Sequence, residues 1–85
     1  MKATLLRIEK HPSKFGKEFY YFFFKCADGK SRRSCIYPTY GNFQRWKHLI
    51  NTVLPIELDN LLMKGNLIDA DSYPKTIYES QDTKT

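Results

Sequence analysis

Residues 18–37 read EFYYFFFKCADGKSRRSCIY. Six aromatic side chains follow one another from Phe19 to Phe24. Rings in an unbroken row crowd one another on a helix and fit the pleat of a sheet, so residues 18–26 are expected to form a strand. Ala27-Asp28-Gly29-Lys30 follows, and its Asp-Gly pair suits the positive φ angles of a tight type I′ hairpin turn. Residues 31–37, SRRSCIY, then return as the partner strand. Such a turn sets the register: Ala27 opposes Lys30, Lys25 opposes Arg32, Phe23 opposes Ser34 and Tyr21 opposes Ile36.

Alternation sorts these side chains onto two faces. One holds Tyr20, Phe22, Phe24, Cys26 and Cys35 and suits a core, with Arg33 an awkward member near the turn. The other holds Phe19, Tyr21, Phe23, Lys25, Arg32 and Ser34. A buried face disfavours adjacent cations. A solvated face disfavours three large rings. Single-stranded nucleic acid accommodates both, because bases stack on rings while cations follow phosphates. Stacking contributes about 1–3 kcal/mol per base and tolerates any sequence. The competing reading packs the three rings under the helix or at a homodimer interface. With Lys14 and Lys17 in the loop before the hairpin, Lys30 at the turn and Tyr40 beyond Tyr37 at the far end, the nucleic-acid-binding set is Lys14, Lys17, Phe19, Tyr21, Phe23, Lys25, Lys30, Arg32 and Tyr40.

Outward from the hairpin, residues 3–10 read as a first strand, with Leu6 and Ile8 on one face and Arg7 and Glu9 on the other. HPSKFGK, residues 11–17, is a loop. After Pro38, Tyr40 and Gly41, Asn42 is placed to cap a helix whose apolar stripe is Phe43, Trp46, Ile50 and Val53, with Trp46 as a core anchor. Pro55 ends it. Residues 55–65 suit either a short helix closed by Gly65 or an irregular strand over residues 58–64, the second being preferred. Residues 66–74 form a final strand stopped by Pro74. One domain over residues 1–78 and a disordered polar tail over residues 79–85 are expected. The order strand, hairpin, helix, strands gives a mainly β fold with one helix. It suits a five-stranded barrel like the oligonucleotide/oligosaccharide-binding (OB) fold. The alternative is an α+β sheet with the helix packed on one face.

The 85 residues carry a formal charge of +5. Residues 1–48 hold eleven Lys and Arg against three Asp and Glu, a balance of +8; residues 49–85 hold three against six, a balance of −3. That polarity suits a polyanionic partner. No apolar stretch approaches the roughly 18 residues of a membrane span. Arg7, Glu9 and Lys10 interrupt what a signal peptide would need, so a soluble cytoplasmic protein without a membrane partner is expected. Cys26 and Cys35 are expected to be free thiols, sharing a face but about four residues apart along it. His11 and His48 have no metal-ligand spacing with them. A phosphate-binding glycine loop and a nucleophile elbow are both absent from the sequence. The expectation is therefore a protein that is not an enzyme, with no cofactor, no metal and no small-molecule substrate. Asp69 and Asp71 are the exception weighed: two apart on a strand they point the same way and suit Mg²⁺ in a nuclease. The stronger reading leaves both facing water while Ile68 and Ala70 face the core.

SKFGKEFYYFFFKCADGKSRR resembles the early part of small phage- and plasmid-type single-stranded-DNA-binding proteins with an OB fold. A Ser-x-x-Gly-Lys loop, here Ser13, Gly16 and Lys17, precedes an aromatic, basic hairpin. The resemblance covers roughly the first half of the chain and implies sequence-tolerant binding of single-stranded DNA, as in DNA replication, and homodimerisation. The acidic, glycine-rich tail of many such proteins has no counterpart in ESQDTKT, which puts recruitment of partner enzymes through a tail in doubt. A phage- or plasmid-type protein-interaction module, inhibitor or adaptor, and an RNA-binding protein are the alternatives for the same face.

Overall fold

The aromatic run and its two neighbouring strands carry the fold in the computed structural model, which describes residues 1–12, 14 and 16–77. In chain order these are β1 (Ala3–Pro12), β2 (Glu18–Cys26) and β3 (Ser31–Ile36). One helical turn, α1 (Phe43–Trp46), continues into a 3₁₀ turn over Lys47–Leu49. Four short strands follow: β4 (Ile56–Asp59), β5 (Met63–Lys64), β6 (Leu67–Ile68) and β7 (Lys75–Thr76). β1 to β4 and β7 make an antiparallel sheet in the order β3-β2-β1-β4-β7, and β5 and β6 form a separate ribbon. The fold is mainly β with one short helix, as expected, but the sheet is not closed into a barrel. β6 runs close beside β3 without joining its ladder. Only two residues long, β6 offers too little backbone to complete a seam.

The hairpin register differs by one residue from that of a two-residue turn. Gly29 N–H donates to Cys26 O and Cys26 N–H donates to Lys30 O, both at 2.9 Å. Gly29 alone in this turn takes a left-handed backbone, φ 86°. A type I′ turn would force Asp28 there as well, at a steric cost that glycine escapes. The longer loop with its glycine bulge avoids that cost. It pairs Lys25 with Ser31, Phe24 with Arg32, Phe23 with Arg33, Phe22 with Ser34, Tyr21 with Cys35 and Tyr20 with Ile36. A one-residue slip exchanges the faces of a strand. Ile36 and Ser34 are thereby buried, Arg33 and Cys35 move to the opposite face, and Arg32 takes the place of Arg33 on the core side. Cys26 and Cys35 lie on opposite faces rather than sharing one, and both are free thiols.

β1 carries a second irregularity. Its pairing with β2 slips between Leu5 and Arg7, so Leu6 is left over. Leu5 is fully buried and Leu6 is exposed, whereas simple alternation expects Leu6 and Ile8 on one face. Beyond the bulge Ile8 packs on the core, with Arg7 and Glu9 opposite. Before it, Ala3–Leu5 pairs with both β2 and β4. A bulge strengthens local twist.

Phe22, Phe24, Leu5, Ile36, Leu58 and Trp46 make the heart of the core. Trp46 meets Phe22 edge-on at 5.1 Å between centroids, and its Nε1–H donates to Ala70 O at 2.8 Å. The expected helical stripe is cut short. Tightening from α to 3₁₀ changes the repeat to three, so Phe43, Trp46 and Leu49 turn inward while Val53 is 88% exposed. Asn42 makes no side-chain cap; its Nδ2 donates to Asp71 Oδ1 at 3.0 Å.

The preferred strand over residues 58–64 is broken. Asn60, at φ 64°, separates β4 from β5. Gly65, also at φ 64°, serves the Gly65-Asn66 turn of the β5–β6 ribbon rather than a helix C-cap. The final strand expected over residues 66–74 ends after Ile68. There Asp69 Oδ1 accepts from Asp71 N–H and Asp69 O accepts from Ser72 N–H, closing a turn. Asp69 and Asp71 are thus not neighbours on one strand face. β7, after Pro74, pairs with β4. The polar tail expected over residues 79–85 lies outside the described residues. No helix among the described residues is long and apolar enough to cross a membrane.

The register makes unlike demands on adjacent residues. Ile36→Ala is expected to lower stability by about 2–5 kcal/mol in urea unfolding. Cys35→Ala should change it by less than about 1 kcal/mol. The reverse ranking would restore the two-residue turn.

Candidate nucleic-acid interface

Directly opposed residues on antiparallel strands share a face. The β1–β2 register therefore sets Arg7 beside Phe23, Glu9 beside Tyr21 and His11 beside Phe19. The β2–β3 register adds Arg33 beside Phe23 and Cys35 beside Tyr21. The outer face of the sheet is thus a middle column of rings between two columns that each supply an arginine.

The rings touch in sequence. Phe23 lies 5.9 Å from Tyr21, Tyr21 meets Phe19 edge-on at 5.1 Å, and Phe19 stacks on Tyr37 at 5.2 Å. Tyr37 leads to Tyr40 at 5.6 Å. His11 joins from β1, 5.8 Å from Phe19 and 5.1 Å from Tyr21. Two guanidinium groups lie over this row: Arg7 is 4.1 Å from the Phe23 centroid and Arg33 4.8 Å from that of Tyr21. Exposed contacts of this kind contribute about 0.5–1 kcal/mol each and hold the cation over the ring. Phe19, Tyr21 and Phe23 are half-buried, and Tyr40 is 62% exposed.

Glu9 is the acid in the middle of this face, and both its oxygens are engaged. Arg7 Nε donates to Oε2 at 2.8 Å, and His11 Nε2 lies 2.9 Å from Oε1. The Arg7 hydrogen bond first, then that of His11, hold its carboxyl below the ordinary value. The Cys35 thiol beside Tyr37 pushes that phenol upward.

The expected site residues separate into three groups. Phe19, Tyr21 and Phe23 lie together on the outer face with exposed Lys25 at its turn end, and exposed Lys30 sits in the turn opposite Cys26. Lys14, Lys17 and Tyr40 gather at the other end, around a cleft of about 540 Å³. Arg32 stands apart. It is on the core side of β3, its side chain only 12% exposed, and its guanidinium grips Asp28 through Nη1–Oδ1 at 3.0 Å and Nη2–Oδ2 at 2.9 Å. Its place beside the rings is taken by Arg33. Arg7 and His11 complete the face and were missed because only the register of β1 on β2 brings them to it; Tyr37, noted at the far end of the hairpin, joins through its stack on Phe19. Arg45 belongs elsewhere, 3.8 Å over Tyr73 and bonded to Asp71 O.

Among the described residues no three His, Cys, Asp or Glu side chains are grouped as metal ligands. Asp69 and Asp71 spend their carboxylates on the local turn and on Asn42. Compared with known protein families, curated proteins and solved structures, the chain matches none.

The hairpin turn has a pH signature. The Arg32 hydrogen bonds, helped by Lys30 N–H, lower the Asp28 carboxyl to about 2. A depressed folded-state value stabilises above the unfolded value of about 3.9 and is lost as pH falls through about 2. Carboxyl NMR should show Asp28 titrating near that lower value, and Arg32→Ala should move its midpoint up towards about 3.9. A midpoint near the unfolded value in the unaltered protein contradicts the bidentate pair.

Proposed function

We propose that the protein is a non-catalytic, sequence-tolerant single-stranded-DNA-binding protein, and that the outer face of β1, β2 and β3 is its track. The observation that carries this reading is the continuous row of rings from Phe23 to Tyr40 with Arg7 and Arg33 laid over it. Bases stack on the rings by displacing or sandwiching the guanidinium groups. Those groups and Lys25 then face the phosphates. The paired state of Glu9 limits repulsion of the strand. The strand order β3-β2-β1-β4, with the helical turn between β3 and β4 and β6 running beside β3, supports an OB-like topology with an incomplete seam. The positive balance of residues 1–48, which contain β1 to β3, supports a polyanion as the ligand.

Titration of a fluorescent poly-dT strand at several salt concentrations tests this. Contact with about six phosphates gives a slope of log affinity on log salt near −4. Tyr21→Ala and Phe23→Ala should each weaken binding roughly 5- to 150-fold, the equivalent of about 1–3 kcal/mol, without unfolding the domain. Arg33→Ala should also reduce the slope by about 0.7. Arg32→Ala should leave the slope unchanged. An affinity insensitive to salt, or equal slopes for both arginine variants, rejects the mechanism. Stronger binding of RNA of equal length would reassign the polymer.

A further inference from the structure

We infer that the cleft at the Tyr40 end of the ring row seats one whole nucleotide unit, so that a bound strand has a fixed end there; this rests on the outer face being the strand's track. Along β2 the rings lie on an open sheet, where a base is covered on one side. The cleft is different. Its walls come from the end of β1 and the connection to β2, with Pro12, Lys14 and Lys17, from Glu18 and Phe19 at the start of β2, and from Tyr37, Thr39 and Tyr40 after β3. Its volume of about 540 Å³ falls within the roughly 300–1,000 Å³ of small-ligand sites.

The lining supplies each part of a nucleotide with a partner. Tyr37 is stacked on Phe19 with only 23° between ring planes, a rigid wall for a base. Tyr40 tilts 42° from Tyr37 and is 62% exposed, leaving most of its surface open to a second contact. Lys14 and Lys17 bring positive charge to the opposite loop, where a phosphate would sit. The acid at the rim, Glu18, is paired with Lys10 at 3.5 Å. Rings on one loop and ammonium groups on the other match a nucleoside monophosphate, free or at the end of a strand, better than a bare base or a bare phosphate. Thr39 also lines the cleft.

Amide NMR of the whole chain, titrated separately with thymidine monophosphate, thymidine and inorganic phosphate, tests the seat. The monophosphate should give saturable shifts at Lys14, Lys17, Thr39 and Tyr40, at concentrations where neither thymidine nor phosphate saturates. Tyr40→Ala and Lys14→Ala should each weaken the monophosphate at least about fivefold. Both should bind poly-dT more weakly than the unaltered protein but still measurably, through Phe19, Tyr21 and Phe23 on the open part of the face. If poly-dT binds but the monophosphate gives no saturable shift, or is unaffected by both substitutions, the seat is overturned while the track stands. If poly-dT does not bind at all, the track fails and the seat with it.

Discussion

The left-handed backbone at Gly29 decides what each side of this sheet is for. Because that one residue takes the positive φ angle and Asp28 does not, the hairpin loop is one residue longer than a tight turn. β3 is therefore read in the opposite phase. Ile36 and Ser34 go inward, and Arg33 and Cys35 go outward. Asp28, spared the strained conformation, accepts from Lys30 N–H and from Arg32, so the cation left on the core side is neutralised where it stands. The same event produces an inner face whose one arginine is paired with Asp28 and a ring-and-cation outer face.

The two faces place different demands on the aromatic run. Phe22 and Phe24 are buried against Trp46, where lost volume is costly. Phe19, Tyr21 and Phe23 are only half-covered, by each other and by Arg7, Arg33 and His11. Neighbours in sequence thus differ in role: alternate rings hold the sheet to the helix, and the ones between remain available to a ligand. The bulge at Leu6 keeps β1 in step with this division, since Leu5 and Ile8 can both face inward while Arg7 and His11 face the rings.

The strand character of residues 18–26, the division of its rings between two faces and the anchoring role of Trp46 were all legible in the sequence. The register was not. Ala-Asp-Gly-Lys is compatible with two loop lengths, and only the burial of Ile36 against its neighbours separates them. Consecutive Leu5 and Leu6 hid the bulge, because either suits a core. The Phe43–Val53 stripe fits an α-helix on paper, but tightening after one turn brings in Leu49 instead of Val53. β7 had no apolar pattern to announce it: Lys75 and Thr76 matter only as backbone partners of β4. In the site, Arg32 and Arg33 exchanged places with the register. Arg7 was on the right side of β1 but without a neighbour until β1 was laid on β2, and His11, expected in a loop, extends β1 to reach Phe19.

The proposed track on the outer face of β1, β2 and β3 receives a single strand by ring stacking. Side-chain NMR of the aromatic rings during addition of poly-dT reads this directly. Upfield ring-current shifts are expected at Phe19, Tyr21 and Phe23, with Phe22, Phe24 and Trp46 unmoved. Shifts confined to the β5–β6 ribbon or the helical turn, with those three rings silent, would contradict it.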